Sequence, residues 1–219
     1  ECACATTVVD VGVEPAVISS NGTYEILGTT VVNQIEVMAG VAAVVILQDL
    51  TVDLSNQAGR CAFSVSSNAS IDLIVNGSNH LHGGLNCAGL QVPRGAALAI
   101  ISNSPGNLLA VGGACGAGIG GGRGTAGGDI HIAGGTIHAI GGGDPDRGGA
   151  GIGGGASTNG QLAGNEGGTI TIDGNAFVCA EGKNGGAGIG GGGGCLGGTG
   201  GIVRIGGRAM VMATGSGYY

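Results

Sequence analysis

The stretch Gly116-Ala117-Gly118-Ile119-Gly120-Gly121-Gly122 occurs three times in this chain. The same seven letters return at residues 149–155 around Ile152, and again at residues 186–192 around Ile189. A loop and then a strand-like segment follow each copy: Asp129–Ile132, Thr169–Ile172 and Ile202–Ile205. Self-similarity at a regular spacing is typical of a repeat architecture, so we expect equivalent segments to lie side by side.

The first half of the chain carries a less glycine-rich version of this pattern. Ile35, Phe63 and Leu90 take the place of the central isoleucine, so anchor residues fall at positions 35, 63, 90, 119, 152 and 189. The repeat length is therefore 27–29 residues at first, then 33 and finally 37 residues. Strands of constant length joined by loops of variable length explain this drift.

Composition limits the fold class. Glycine accounts for 54 of the 219 residues. It disfavours long helices, because each interior glycine costs roughly 1 kcal/mol relative to alanine. Three short strands per repeat, with side chains alternating in and out, predict an all-β fold. The specific prediction is a right-handed parallel β-helix, a solenoid of about six to seven coils with an N-terminal strand outside the repeats. A glycine-rich sandwich and a bundle of polyglycine helices are the alternatives.

Such a fold predicts ladders of inward side chains from equivalent strands. The two main ladders are Ile119, Ile152 and Ile189, and Ile132, Ile172 and Ile205. In the second strand of each repeat, matching positions are assigned to Ile137, Phe177 and Met210. Two residues later on the same face come Ala139, Cys179 and Met212.

The chain divides into an N-terminal segment, residues 1–20, and a single repeat domain, residues 21–219, which is glycine-rich from about residue 112. The apolar residues 5–18 either cap the first coil of their own chain or add a strand to a neighbouring copy. Both interpretations stay open. The second one makes the following residues candidates for self-association: Val8, Val9, Val11 and Val13.

A second self-association surface follows from the glycine cassettes. If the alanine and isoleucine of each cassette point inward, the alternate glycines point outward and form a smooth strip. Another backbone can approach such a strip closely. The glycines concerned, called the glycine strip below, are Gly118, Gly120, Gly151, Gly153, Gly188 and Gly190.

Charge and hydropathy exclude two classes of partner. The formal net charge is −7, and only 7 residues are lysine or arginine, so no basic surface is available for nucleic acid. Apolar stretches are far shorter than the roughly 20 residues that span a bilayer. We therefore expect neither nucleic-acid binding nor a membrane span.

The seven cysteines point to an oxidising, extracellular setting with at least two disulfides, although their pairing is left open. They are Cys2, Cys4, Cys61, Cys87, Cys115, Cys179 and Cys195. A zinc site has little support from their spacing. Because the chain begins with Glu1 rather than methionine, we expect either a processed protein or a cut domain, without its secretion signal and located outside the cell or at its surface.

No constellation of catalytic residues emerges, so we predict a protein that is not an enzyme and has no cofactor. The nearest acidic pair, Asp144 and Asp146, fits a turn; if these carboxylates bind an ion, calcium is expected. His131 and His138 alternate with apolar residues and are expected on exposed strand positions. The sequence places no serine, cysteine or carboxylate beside either histidine.

The alternation of the glycine cassette with Gly-Gly-Thr-Ile-Thr-Ile-Asp-Gly at residues 167–174 resembles secreted glycine-rich β-helix surface proteins of anaerobic Gram-positive bacteria. It is also similar to a clostridial carbohydrate-binding β-helix family. The latter resemblance implies extracellular polysaccharide binding with calcium and without catalysis. The chain has no tryptophan on which a sugar could stack, so no functional residue is carried over.

Apart from this resemblance, the residues themselves predict an extracellular structural protein. It is expected to associate with copies of itself at a cell surface or in a fibre. The alternative is a polysaccharide-binding adhesin module that depends on calcium.

Overall fold

The computed structural model describes residues 5–102, 106–159 and 163–217. Cys2 and Cys4, two of the disulfide candidates, lie outside these residues. All regular structure within the described ranges is β, and none of it is helical. No helix in this part of the chain could therefore cross a membrane.

The strands, numbered in chain order, have these bounds: β1 Thr6–Asp10, β2 Ala16–Ile18, β3 Gly22–Thr30, β4 Ile35–Val37, β5 Ala42–Asp53, β6 Phe63–Val65, β7 Ser70–Asn76, β8 Ser78–His82, β9 Leu90–Gln91, β10 Ala97–Ile100, β11 Asn107–Val111, β12 Ile119–Gly120, β13 Asp129–Ile132, β14 Thr136–Ile140, β15 Gly143–Asp144, β16 Arg147–Gly148, β17 Ile152–Gly153, β18 Thr169–Ile172, β19 Phe177–Glu181, β20 Ile189–Gly190, β21 Ile202–Ile205 and β22 Met210–Thr214.

The larger sheet is parallel and has thirteen strands. Its main path runs β21-β18-β13-β10-β7-β5-β8-β11-β14-β19-β22, with β3 paired to β5 and β1 paired to β3. The 12-residue strand β5 lies at the middle of this path. Its first half pairs with β7 and its last three residues pair with β8, so the sheet curls around β5 into a half-barrel.

The smaller sheet is also parallel and contains seven short strands, in the order β2-β4-β6-β9-β12-β17-β20. A separate two-stranded antiparallel hairpin is formed by β15 and β16. Buried side chains from both parallel sheets belong to one hydrophobic core. Along β5 and β7, inward residues are buried and the residues between them are more exposed, which is the alternation expected of a sheet covered on one face.

The predicted right-handed parallel β-helix, with six to seven coils of three separate strands, is wrong. One curled sheet joined through β5, together with a second parallel sheet, stands in place of that solenoid. Residues 42–53 contain no glycine or proline that would interrupt the strand, whereas Gly77 separates β7 from β8. The N-terminal strand is not outside the repeats either, because β1 pairs with β3 and β2 pairs with β4.

The two isoleucine ladders are confirmed by strand register. Ile152 pairs with both Ile119 and Ile189, and Ile172 pairs with both Ile132 and Ile205. The expected burial fails at the last strand: Ile172 is fully buried, but Ile205 is 55% exposed. The ladder therefore continues to β21, where nothing in the described chain covers it.

Glycine follows the isoleucine in β12, β17 and β20 because of backbone geometry. Gly120, Gly153 and Gly190 have φ angles of +133°, +132° and +136°. L-residues with a side chain rarely adopt this conformation. A Cβ on Gly153 would also lie 2.0 Å from the carbonyl oxygen of Gly190 in the next strand. The repeated glycine therefore permits the close pairing of these three strands.

Candidate functional site

One end of the molecule exposes an unusual amount of apolar surface. The last strand on each arm of the curled sheet, β21 and β22, pairs on one side only within the described chain. These strands and the preceding loop carry exposed hydrophobic side chains: Leu196, Ile202, Val203, Ile205, Met210 and Met212. A concentration of exposed apolar side chains of this kind is typical of an interaction site. We call this surface, formed by β21 and β22, the open end.

The exposure arises because the rows of paired core residues end at β21 and β22, and no further strand of the described chain covers these last members. Val203 pairs in register with Ile170, and Val211 pairs with Val178. Ile170 and Val178 are fully buried, whereas Val203 is 41% exposed. The sequence therefore continues the core pattern into β21 and β22, although no later strand of the described chain packs there.

The opposite end of the molecule is formed by β1. This strand pairs with β3 and leaves its other edge without a partner among the described residues. Residues 5–30 contain three acidic and no basic side chains: Asp10, Glu14 and Glu25. Residues 196–217 contain Arg204 and Arg208 and no acidic ones. The two ends thus carry charges of opposite sign.

The N-terminal self-association candidates differ in accessibility. Val8 and Val13 are 59% and 80% exposed, and Val9 is half-buried. Val11 is fully buried in the core, where its N–H donates to the carbonyl oxygen of Leu27. Of the four candidates, only Val8, Val9 and Val13 are therefore accessible to a partner.

The glycine strip is not the exposed surface that the sequence predicts, because all six of its residues are buried. A Cβ on Gly118 would lie 2.5 Å from the backbone nitrogen of Ile140, and a Cβ on Gly151 would lie 2.6 Å from that of Glu181. These glycines let the ends of β14 and β19 approach the smaller sheet within the chain. The close backbone approach predicted from glycine is therefore internal.

Asp144 and Asp146 lie at the turn of the β15–β16 hairpin. Asp144 Oδ1 accepts the N–H groups of Asp146 and Arg147, each at 3.0 Å. Its Oδ2 accepts the Cys115 thiol at 3.1 Å and lies 3.2 Å from Arg147 Nε. Burial opposes ionisation, but these hydrogen bonds and the Arg147 charge hold the pKa of Asp144 below its ordinary value. Its carboxylate thus stabilises the turn, while the Asp146 side chain is exposed.

Cys61, Cys87, Cys115 and Cys179 are separate thiols in the structure, so the predicted disulfides find no support among them. Cys61 and Cys87 are both buried and lie beside each other. A hydrogen bond with Cys87, together with burial, raises the pKa of Cys61, which keeps this sulfur protonated. Cys195 lies on the surface.

The expectation that neither histidine has a carboxylate or cysteine beside it is wrong. His131 Nε2 lies 2.8 Å from Asp173 Oδ1, and His138 Nε2 lies 3.3 Å from Glu181 Oε1. Cys179 is the direct partner of His138 in the neighbouring strand. The signal that could have revealed this pair is the row of alanines at 110, 139, 180 and 213, which marks the true register.

The outer face of β7, β10, β13 and β18 forms a shallow depression. Its polar lining comes from successive strands of the curled sheet: Ser70, Asp72, Asp129, His131, Thr169 and Thr171. Hydroxyl, carboxylate and imidazole groups thus share one concave surface.

The chain matches no protein-family model, no curated protein and no solved structure. The resemblance to clostridial β-helix proteins therefore stays a prediction.

Proposed function

We propose that this protein is a non-catalytic structural component that assembles head to tail with copies of itself, at a cell surface or in an extracellular fibre. The observation that carries the proposal is the loss of cover over core-type residues at the open end. Val203 and Ile205 occupy the same rows as Ile170 and Ile172, which are fully buried. A further strand in register would bury them in the same way.

Apolar burial supplies the driving force for this assembly. Full burial of a valine, isoleucine or methionine side chain contributes about 1.5–3 kcal/mol. The open end offers several such side chains, and each of β21 and β22 also has one edge whose backbone groups pair with no other strand of the described residues. Added strands would bury the apolar side chains and would also pair the free backbone groups.

A second copy is the partner that fits best. The other end of the chain presents β1, a strand of a parallel sheet whose own outer edge is unpaired in the described chain. Acidic residues near β1 complement Arg204 on β21 and Arg208 beside it. Contact between two different surfaces of identical molecules does not close on itself unless a rotation brings it into a ring, so a filament is expected.

The test replaces Val203 by glutamate, which adds charge at the partly exposed last position of a core row at the open end. Leu85→Glu is the matched control, because Leu85 is 46% exposed in a turn away from both ends. We expect multimers of the intact protein by sedimentation velocity and electron microscopy, unchanged multimers for Leu85→Glu, and monomers for Val203→Glu. An intact protein that stays monomeric at high concentration contradicts the proposal.

Polysaccharide binding is the second candidate function, and the shallow depression on β7, β10, β13 and β18 favours it, because its lining includes several polar side chains. Recognition of a sugar needs several converging hydrogen-bonding groups, which Asp72, His131 and Thr171 offer there. Binding to a glycan array that is lost in Asp72→Ala but kept in Val203→Glu would assign this activity to the depression.

A further inference from the structure

Three potential metal ligands of different chemistry meet on the outer face of β14 and β19. His138 and Cys179 are paired in register, and Glu181 follows two residues later on the same face. Their nearest ligand atoms all lie within 4.8 Å of one another. In the described part of the chain, this is the one group of three or more histidine, cysteine or acidic residues with such spacing.

We propose that His138, Cys179 and Glu181 form a binding site for a zinc ion. Zinc takes imidazole nitrogen, thiolate sulfur and carboxylate oxygen as ligands, and binds nitrogen and oxygen at about 2.0–2.2 Å. Two such ligands at a tetrahedral angle are about 3.3–3.5 Å apart. The 3.3 Å separation between His138 Nε2 and Glu181 Oε1 matches that distance.

The ligands stand on a rigid support. β14 and β19 pair with each other along five residues, and further strands, β11 and β22, flank them on both sides. Lys183 Nζ lies 3.2 Å from Glu181 Oε2, which orients the carboxylate and leaves Oε1 towards His138. Glu181 would therefore bind through one oxygen, and a water molecule would complete a four-coordinate site.

The chemistry of the site favours zinc over calcium or magnesium. Those two ions prefer oxygen ligands, whereas this site offers one sulfur and one nitrogen beside a single carboxylate. Binding replaces the hydrogen bond between His138 and Glu181 by two metal bonds, and the proton that Nε2 contributes to this hydrogen bond moves to Nδ1 of the same ring or to the solvent. The Cys179 thiol gives its proton to the solvent, so the bound ion faces one thiolate, one carboxylate and a neutral imidazole.

All three side chains are half-buried, which leaves a path for the ion to enter. The positive charge of Lys183 repels the bound zinc ion. The ion pair between Lys183 and Glu181 offsets part of this repulsion. Assembly at the open end is not required for this site, because none of its ligands lies on β21 or β22.

The experiment titrates the chain of residues 1–219 with Zn²⁺ and with Co²⁺, in a buffer whose reductant contains no thiol. We expect one equivalent of metal and, for Co²⁺, a thiolate-to-cobalt charge-transfer band in the near ultraviolet. Cys179→Ser and His138→Gln should each abolish the band or weaken binding at least tenfold. Glu181→Gln should weaken binding and leave the band.

Two matched controls use the same residue types elsewhere. Cys195→Ser removes a surface cysteine. His131→Gln removes a histidine that lies beside Asp173, away from β14 and β19. Both should bind like the intact chain. Absence of binding, binding that survives Cys179→Ser, or binding that is lost in Cys195→Ser would overturn the proposal, and circular dichroism of each variant confirms that it has folded.

Discussion

The backbone N–H of Leu50 donates a hydrogen bond to Asn79 Oδ1, with 3.0 Å between the two heavy atoms. Leu50 lies in the long strand β5, which faces the two separate strands β7 and β8. Asn79 Nδ2 donates to the carbonyl oxygen of Asn76 at 2.9 Å. Asn79 is 2% exposed, so its amide replaces strand hydrogen bonds inside the core. One buried side chain thus satisfies the backbone at the bend of the curled sheet.

Asn79→Ala should lower the free energy of unfolding by about 1–3 kcal/mol, because the buried N–H of Leu50 loses its acceptor. Urea denaturation measures the change as a lower midpoint. Asn107→Ala is the control: its exposed side chain lies on β11, the next strand. Equal midpoints for the two variants would show that Asn79 does not support the bend.

Truncating the same ladder at two neighbouring strands should give very different results. Ile172→Ala removes a fully buried side chain and should destabilise the fold by about 2–5 kcal/mol. Ile205→Ala, one strand further at the open end, should cost less than about 1 kcal/mol in the monomer. In the assembled protein Ile205→Ala should instead reduce multimer formation. Similar unfolding midpoints for both monomeric variants would contradict the described burial.

Gly153→Ala should destabilise the protein by about 3 kcal/mol or more, through its positive φ and its contact with Gly190. Such a loss corresponds to a melting temperature lower by roughly 6–12 °C. Gly206→Ala is the control, because a Cβ there meets no atom within 4 Å. An unchanged melting temperature for Gly153→Ala would rule out the tight pairing of β17 with β20.

The charge of Asp144 should stabilise the hairpin in a pH-dependent way. Its pKa in the folded state lies below its ordinary value, so its contribution is present above the pKa of the unfolded chain, about 3.9, and is lost as the pH falls through the folded value. Asp144→Asn should therefore cost about 1 kcal/mol at pH 7 and progressively less below pH 4. Chemical denaturation at several pH values measures this difference.

Asp146→Asn provides the comparison for that series, because the Asp146 side chain is exposed. It should change the free energy of unfolding by less than about 0.5 kcal/mol at pH 7. If Asp144→Asn has the same cost at pH 3 as at pH 7, the charge is not the cause.

The isoleucine ladders could be predicted because identical cassettes carry Ile119, Ile152 and Ile189 in identical settings. The half-barrel could not, because its curl depends on how far one strand continues. Residues 42–53 form one strand with partners on two later strands, β7 and β8. The spacing of the repeats does not indicate whether this part of a repeat forms one long strand, as in β5, or two short ones, as in β7 and β8.

The candidate zinc site was missed through an error of one residue. Matching Ile137 with Phe177 and Met210 places Ile137 one residue out of register with the other two. The observed partners of Ile137 and its neighbours are instead Val178 and Val211. A slip of one residue moves every side chain of a strand to the opposite face, so Cys179 lies outward beside His138.

The tight backbone contacts between glycine-rich strands have a consequence for how the molecule can change in length. Each contact joins main-chain atoms, as between Gly153 and Gly190, so it requires only glycine and places no demand on a particular partner side chain. Duplication of a 33-residue unit such as residues 119–151 would therefore insert a layer that already fits both neighbours. Such a duplication would lengthen the chain by one whole unit.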